Sequence, residues 1–246
     1  MRVQHPAGGP VPGNTLVAPL PATEEGARYA LLQRLVPALH HQIMGNFQSI
    51  DMVAAMMERR LQPAAPDLAS LREDCALLGS VSQTAVQSIV GLMGWVRPQP
   101  GSMLQFGSGV AECTEVLLNE LQFRGFALVN QVARVDAVVS SGTLRSVLCA
   151  ALIGLSDLSQ VPASLVMRAQ ALPGRIQLSI DLIPAGKQAR KAVLSSYRLL
   201  HWQDVEALAA AESVELARTG TGAGLVFASP AGIAGLAADP LGNEQG

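Results

Sequence analysis

The stretch LHHQIMGNFQSI, residues 39–50, places two adjacent histidines among apolar side chains that recur every three or four residues. This spacing is typical of one face of an α-helix. The pattern extends in both directions and predicts a long first helix from Thr23 to about Leu61. Thr23 is a candidate N-cap, and two acidic residues follow it in the first turn. Pro37 removes one backbone hydrogen bond, which predicts a kink or a broken first segment.

A second helix is predicted after the connector LQPAAPD, from about Asp67 to Trp95. Its apolar residues form one stripe: Leu68, Leu71, Leu78, Val81, Ala85, Ile89 and Leu92. Two long helices joined by a short proline-containing loop predict an antiparallel hairpin. Such a hairpin leaves its apolar stripe half covered when it is alone. We therefore expect two copies to form a dimeric four-helix bundle.

The stretch RPQPGS, residues 97–102, predicts a domain boundary, beyond which helical and strand-like patterns alternate. This alternation predicts an α/β sandwich with one sheet and three helices on one face, and an α+β fold class for the whole chain. Helices are expected at 108–123, 143–155 and 190–217, and strands at 126–132, 163–171, 175–183, 222–229 and 231–237. The expected units are a flexible tail (1–22), the helical hairpin (23–97), the sandwich (103–238) and a second tail (239–246).

The bulk composition excludes some classes of function. A net charge of −2 and the absence of a basic cluster argue against nucleic-acid binding through phosphate neutralisation. The sequence predicts no apolar run of the ~18–20 residues that a membrane span needs. The N-terminus does not resemble a signal peptide. Cys75, Cys113 and Cys149 are odd in number and widely spaced, which favours buried thiols in a reducing, cytoplasmic setting.

The two histidines have different positions on the helical wheel. At about 100° per residue, the apolar residues of the first helix fall between about 160° and 240° from His41. These residues are Leu39, Ile43, Phe47, Ile50, Ala54, Met57 and Leu61. His41 therefore lies opposite the expected core and is predicted to face water. His40 lies at about 260°, on the flank of the stripe.

Several side chains share the face of His41 and suggest a docking surface for another protein. Exposed methionines beside a reachable histidine are typical of such surfaces. Gly45 lowers the surface next to the ring, at some cost in helix propensity. The predicted partner-binding residues are Gly45, Met52, Met56 and Arg59, and Gln48 lies on the same face.

The segment LHHQIMGNFQSI resembles the H-box of bacterial sensor histidine kinases, particularly the subfamilies with an HHRVKNNLQ-like sequence. In this register His41 takes the phospho-acceptor position, and Ile43, Phe47 and Ile50 match the apolar positions that follow it. Placing the acceptor at His40 would put polar residues at those positions. A helical hairpin followed by a sandwich also resembles the phosphotransfer domain of these kinases joined to an ATP-binding domain.

The sequence departs from the kinase pattern at every position expected to serve ATP. Gln42 follows the acceptor, where the resemblance leads one to expect an acid that accepts a proton. Ala150 and Gly154 fill the two asparagine positions of the N-box-like helix. No Asp-x-Gly-x-Gly follows RIQLSIDLI, and Asp181 is interpreted as an ordinary strand-end carboxylate. The glycine-rich RTGTGAG, residues 218–224, precedes a strand rather than a helix and is interpreted as a flexible connector into a hairpin.

The resemblance and its departures together imply histidine phosphotransfer without ATP-dependent kinase activity. His41 would relay phosphate between response-regulator receiver domains, whose own Mg²⁺ and lysine bind the phosphate, so this chain would need no cofactor or metal of its own. Gln42 and Gln48 are candidates to orient the ring or the phosphate by hydrogen bonds.

Three alternatives stay open. The first is a non-catalytic dimeric scaffold or inhibitor that binds a response regulator or a sensor kinase. The second is a divergent active histidine kinase. The third is a helical hairpin with a sandwich whose resemblance to these kinases is accidental.

Overall fold

The computed structural model describes residues 23–63, 67–96, 99–132, 135–159, 161–186 and 197–230, which form five helices and seven strands. The helices are α1 (Glu24–Leu61), α2 (Leu68–Val96), α3 (Phe106–Phe123), α4 (Ser141–Leu158) and α5 (Trp202–Ala211). The strands are β1 (Met103–Gln105), β2 (Ala127–Asn130), β3 (Val138–Ser140), β4 (Ala163–Leu172), β5 (Arg175–Pro184), β6 (Glu215–Thr219) and β7 (Gly222–Ala228). A helical region followed by an α/β sheet domain confirms the predicted α+β class. The expected tails at 1–22 and 239–246, and the expected strand at 231–237, lie outside the described residues.

Helices α1 and α2 form the predicted antiparallel hairpin. The Thr23 side chain accepts a hydrogen bond from the backbone N–H of Gly26 at 3.2 Å and caps α1, as its sequence position predicts. At the other end of α1, Arg60 donates to Asp74 of α2 at 3.1 Å. Because Arg60 is near the end of α1 and Asp74 near the start of α2, this contact fixes the antiparallel order of the two helices.

Helix α1 continues through Pro37, so the break that the proline predicts does not occur. Proline cannot donate an N–H to the carbonyl one turn earlier, which normally costs about 3 kcal/mol in a helix interior. Here Arg34, Leu35 and Leu39 lie on either side of Pro37 and are all buried. Their packing holds the helix together across the missing hydrogen bond.

The sandwich contains a five-stranded sheet in the order β2-β4-β5-β7-β6, covered by a layer of helices in which α4 lies between α3 and α5. Strand β2 is parallel to β4, and the other neighbours are antiparallel. Strands β1 and β3 form a separate two-stranded antiparallel sheet, so the expectation of a single sheet is wrong. Each of these two strands has three residues, which is too short to give a recognisable alternating pattern.

The helix predicted at 190–217 is confirmed only at 202–211 within the described residues 197–217. In the described part, only 202–211 is helical, and 215–219 is the edge strand β6. Ser213 has a positive φ of 56°, which ends the helical path and reverses the chain. The alanine-rich composition continues the helical pattern past this point, so the sequence alone gives no sign of the strand.

The glycine-rich stretch at 218–224 forms the turn and flanks of the β6–β7 hairpin. Thr219 pairs with Gly222 across a two-residue turn. A Cβ atom on Gly222 would lie 1.9 Å from the carbonyl oxygen of Ile180 on β5, so only glycine fits there. The glycines therefore serve a close approach of strands. The prediction of a flexible connector is wrong, because the stretch itself forms the paired strand ends and the turn of a hairpin.

A buried group of charges joins the hairpin to the sandwich. We call it the Asp157 cluster, and it consists of Arg34 of α1, Glu120 of α3, Arg124 directly after α3, and Asp157 of α4. Arg34 donates to Asp157 at 2.5 Å and to Glu120 at 3.0 Å, and Arg124 also donates to Asp157. The backbone N–H of Leu200 adds a fourth bond to the Asp157 carboxylate at 2.8 Å. The Arg34 and Asp157 side chains are 1% and 2% exposed.

The charges of this cluster stabilise one another. Burial alone would lower the pKa of Arg34, but the carboxylates of Asp157 and Glu120 outweigh it and raise that pKa above its ordinary value. A second contact between the hairpin and the sandwich lies one to two turns away, where Arg28 donates to Glu212 at 2.6 Å. Thr143 donates to the other oxygen of Glu212 at 2.7 Å. The base of α1 is therefore fixed to the sandwich at two places.

The apolar stripe predicted as the core of α1 is mostly uncovered in the single chain. Of its seven members only Leu39 is buried, and Phe47 and Leu61 are 45% and 56% exposed. The buried residues of α1 are instead Ala27, Ala30, Leu31, Arg34, Leu35, Leu39 and Val53. Most of these face the sandwich, which the helical wheel could not anticipate. On α2 the predicted stripe is better matched, although Leu68 is exposed.

Two described helices, α2 and α4, are long and apolar enough to cross a membrane by length and composition. The expectation that no segment reaches this length is therefore wrong. Helix α4 is mostly buried in the sandwich, whereas α2 is mostly exposed in the single chain. Core helices of water-soluble proteins pass the same test, so it does not by itself identify a membrane segment.

The cysteines are also only partly as expected. Cys113 and Cys149 are buried, but Cys75 is exposed on α2. Burial, with a further contribution from the neighbouring Cys113 thiol, raises the pKa of Cys149 well above its ordinary value. The Cys149 thiol is therefore held in its neutral form, and both core cysteines pack as small apolar groups.

Replacing Asp157 should destabilise the protein severely, because Asp157→Asn leaves two buried guanidinium groups without their shared carboxylate. We expect a loss of about 3–5 kcal/mol in the free energy of unfolding, measured by denaturant titration. The control is Asp181→Asn, which removes an exposed ion pair with Arg168 and should cost less than about 1 kcal/mol. Equal losses for the two variants would contradict the structural role of the cluster.

Candidate functional site

His41 lies on the exposed surface of α1, as the wheel predicts, and His40 is also exposed. His41 follows Arg34 by seven residues, which places the two side chains on the same face of the helix about two turns apart. Arg34 is buried by the sandwich and His41 is not. The imidazole therefore lies where the cover provided by the sandwich ends.

A groove of about 390 Å³ lies beside His41, between α1 and α3. Helix α1 provides Pro37, Ala38, His41 and Gln42, and α3 provides Glu115, Val116, Asn119, Glu120 and Phe123. The site is therefore built from both parts of the molecule. The Asp157 cluster keeps these parts together, because Arg34 lies on α1 one turn before the groove and is paired with Glu120, which lines the α3 wall.

The other site residues predicted from sequence are all on the surface of α1 or close to it. Gln42 is half-buried and lines the groove with His41, so it is the predicted residue that the structure brings nearest to the ring. Gln48 is exposed further along the helix.

The predicted partner-binding residues follow the same face away from the sandwich. Gly45 and Arg59 are exposed, and the Met52 side chain is 60% exposed. Met56 was expected to be exposed but is half-buried. These positions leave the face accessible, and the roles of the residues on it stay predictions.

Sequence reasoning missed the α3 wall of the groove. Glu115, Asn119 and Phe123 are spaced four residues apart and so form one row along α3. Phe123 is 79% exposed, which is unusual for a phenyl ring at the end of a buried helix. The one sign of this wall in the sequence is Phe123, a phenylalanine on the otherwise polar face of the helical pattern. That α3 lies next to α1 follows only from the tertiary structure.

The positions that match the asparagines of the kinase N-box lie in the core of the sandwich. Ala150 and Gly154 are both fully buried on α4. A Cβ atom on Gly154 would approach Cγ2 of Val205 on α5 to 2.9 Å, closer than carbon atoms normally pack. Helix α5 thus occupies the space that a larger polar side chain at position 154 would need.

Helix α5 is held at this place by its first turn. Arg198 donates to both oxygens of Asp204, at 2.6 and 2.8 Å, and the backbone N–H of His201 donates to Asp204 at 2.9 Å. Burial would raise the pKa of Asp204, but these hydrogen bonds outweigh it and lower that pKa. His201 immediately precedes α5 and is exposed rather than packed against the sandwich.

Asp181 lies within β5 and forms an ion pair with Arg168 of β4 at 2.7 Å. Both side chains are well exposed, as expected of an ordinary sheet carboxylate. Among the described residues, no group of three or more histidine, cysteine or acidic side chains is placed to hold a metal ion.

A larger cavity of about 610 Å³ lies between α1, α2 and α4. Two arginines line it, but both are paired with carboxylates. Arg28 contacts Glu24 and Glu212, and Arg145 contacts Glu112 at 2.8 Å. Both arginines of this cavity are therefore compensated, and Glu25 also lines it.

Comparison with known proteins gives structural neighbours but no sequence relatives. No protein-family model matches the chain, and no curated protein matches it. A bacterial phosphotransferase covers 80% of this chain and 94% of its own at 14% identity, with a TM-score of 0.36. A histidine kinase from Burkholderia phymatum covers 82% and 98% at 14% identity, with a TM-score of 0.38.

A third neighbour is the histidine kinase ThkA in complex with the response regulator TrrA, which matches 82% of this chain and 63% of its own at 10% identity, with a TM-score of 0.39. At these identities and scores the similarity says nothing about activity.

The packing at Gly154 predicts the sign of two glycine substitutions. Gly154→Ala places a methyl group against the stiff side chain of Val205, so we expect a loss of about 1 kcal/mol or more, typical of overpacking in a core. Gly45→Ala is the control, since a Cβ atom there meets nothing within 4 Å. That variant should gain about 0.5–1 kcal/mol from helix propensity. Thermal or denaturant unfolding of both variants measures the difference, and a gain for Gly154→Ala would contradict the close packing of α5.

Proposed function

We propose that this chain is a histidine phosphotransferase of a two-component phosphorelay, with His41 as the phospho-acceptor. The observation that carries the proposal is an exposed imidazole in the H-box register, on a continuous helix, at the rim of a groove. The protein would accept phosphate from one response-regulator receiver domain and deliver it to another. It would do so without binding ATP.

The chemistry requires little from this chain beyond a nucleophile and its placement. The receiver aspartate carries the phosphoryl group as an acyl phosphate. A ring nitrogen of His41 attacks phosphorus in line, a P–N bond forms as the aspartate O–P bond breaks, and the carboxylate leaves with the bonding electrons. The proton stays on the other ring nitrogen. Imidazole is substantially neutral near pH 7 and can attack without a strong base.

The half-buried Gln42 is the residue best placed to orient the ring. It lines the groove with His41 and can offer both an amide N–H and a carbonyl oxygen. Gln48 is further along the helix and is suited to contact the partner or the phosphate. Magnesium belongs to the receiver in this proposal, since the described residues of this chain provide no ligand cluster for it.

The packing of α4 against α5 supports the ATP-free part of the proposal. A kinase-like domain needs polar side chains that reach the nucleotide from the N-box helix. Here those positions are Ala150 and Gly154, which are buried under α5. The nearby Asp181 is paired with Arg168 on the sheet. No residue of this set is left to bind a nucleotide.

We further propose that two copies associate through the apolar stripe of α1. Phe47 and Leu61 are exposed in the single chain, and Ile50 and Met57 are only half-buried. On α2, Val86, Val90 and Met93 are also exposed. A contiguous apolar surface of this kind on two neighbouring helices fits a four-helix bundle in the cytoplasm.

The dimer can be tested with two neighbouring alanines, which are both exposed in the single chain. Ala54 lies on the apolar stripe, whereas Ala55 lies about 100° further round the helix. Ala54→Glu should convert the dimer to a monomer because it buries an unpaired charge, and Ala55→Glu should not. Light scattering measures the mass in solution. A wild-type monomer, or an Ala54→Glu dimer as stable as the wild type, would contradict the proposed interface.

The acceptor is tested by phosphotransfer from phosphorylated receiver domains. We expect the wild-type protein to gain an acid-labile, base-stable phosphate from a phosphorylated receiver and none from ATP. His41→Ala should abolish acceptance, whereas His40→Ala, equally exposed and one residue away, should retain it. Phosphate on the His41→Ala protein would refute the assignment.

A scaffold or inhibitor of a response regulator or sensor kinase is the second candidate function. It is favoured by one observation, the replacement of the expected acid by Gln42. A receiver that binds the protein without transferring phosphate would support it. A nucleotide-induced rise in melting temperature would instead favour a divergent kinase.

A further inference from the structure

The groove beside His41 has an α3 wall that none of the roles assigned so far uses. Glu115, Asn119 and Phe123 project from α3 in one row and line the groove opposite α1. Among the described residues, the side chains of Glu115 and Asn119 take part in no hydrogen bond or ion pair. Phe123 is 79% exposed. A charge, an amide and a phenyl ring are thus left without partners beside the acceptor.

We propose that this α3 wall is the second half of the docking surface for the receiver domain, and that the receiver places an apolar side chain on Phe123 and a cationic side chain on Glu115. The proposal rests on the proposed function, because the groove matters to phosphotransfer only if His41 is the acceptor. It adds that the sandwich itself takes part in partner recognition.

The charge of the groove indicates the chemistry of the partner. Its lining contains the carboxylates of Glu115 and Glu120 and no lysine or arginine. Glu120 is already paired with Arg34 at 3.0 Å and lies within 3.5 Å of Arg124. Glu115 is therefore the uncompensated charge, and it favours a basic group on the incoming surface.

The apolar part of the groove indicates where the binding free energy comes from. Pro37, Ala38, Val116 and Phe123 provide a nearly continuous apolar strip from one helix to the other. Exposed aromatic rings beside a concave surface are typical of residues that dominate an interface. Glu115 on the rim would contribute orientation and association rate more than affinity, since exposed ion pairs are weak.

The position of the wall relative to His41 explains why it should bind the same partner. The groove has His41 on one wall and Glu115 on the other, so a domain that reaches the imidazole also covers α3. The predicted docking residues Gly45, Met52 and Arg59 continue along α1 from the same point. One partner surface can therefore contact both rows.

The test compares phosphotransfer by groove variants with that by matched exposed controls. Phe123→Ala should raise the KM for the phosphorylated receiver about tenfold, with kcat unchanged, because binding and not chemistry is affected. Glu115→Lys should also raise KM, and more than Glu115→Gln. The controls are Ile183→Ala, which removes another exposed apolar side chain, and Glu206→Gln, which removes another exposed carboxylate. Both controls should behave as the wild type.

Three further measurements separate the possible outcomes. Phosphoramidate is a small phosphate donor that needs no docking, so it should label His41 equally in the wild type and the groove variants. Receiver binding is measured by calorimetry, and the mass in solution by light scattering.

If the wild type accepts phosphate and the groove variants keep its KM, the docking proposal is overturned and the proposed function stands. If the wild type accepts no phosphate but binds receivers less tightly when Phe123 is removed, the docking surface stands and the relay fails. Tighter binding by Glu115→Lys overturns the cationic partner. A change of mass on Phe123→Ala assigns the groove to a second copy of this chain and overturns the proposal.

Discussion

The carboxylate of Asp157 is almost fully removed from water, so its charge must be compensated within the protein. Two arginines and one backbone N–H provide that compensation, and they come from α1, from the end of α3 and from the segment before α5. A charge that no single element can satisfy thus holds three elements in one arrangement. Removing one partner of such a group costs far more than forming an exposed ion pair contributes. The relation between the helical hairpin and the sandwich depends on this requirement.

The candidate site is a product of the same arrangement. His41 belongs to the hairpin, whereas Glu115 and Phe123 belong to the sandwich, and neither unit forms the groove alone. The packing of α5 against Gly154 shows a second effect of the same core, because it leaves no room for a larger side chain at this position. The sandwich thus provides one wall of the groove beside His41.

The sequence was sufficient for the parts of the fold that have strong local patterns. The cap of α1 and the periodicity of α1 and α2 predicted both helices almost to the residue, and the strands expected at 163–171 and 175–183 correspond to β4 and β5. Short strands such as β1 and β3 carry too few residues for a pattern, and β6 was hidden by an alanine-rich composition that favours helix.

The site could be predicted only on the α1 side. The wheel correctly placed His41 on the surface, because exposure along one helix follows from angle alone. It could not show that the sandwich buries the same face two turns earlier, at Arg34. Nor could it bring Glu115 and Phe123 to the ring, since contacts between residues about eighty positions apart depend on tertiary packing.

Helix α1 is unbroken and is fixed to the sandwich at the buried guanidinium of Arg34, so a rigid tilt of the helix would turn it about this point. His41 lies about 10 Å from that point along the axis, whereas Leu61 lies about 40 Å away. A tilt of about 5° would therefore displace the far end by about 3.5 Å and the imidazole by only about 1 Å. His41 lies close to this fixed point, so movements at the tip of the hairpin leave its surroundings nearly unchanged.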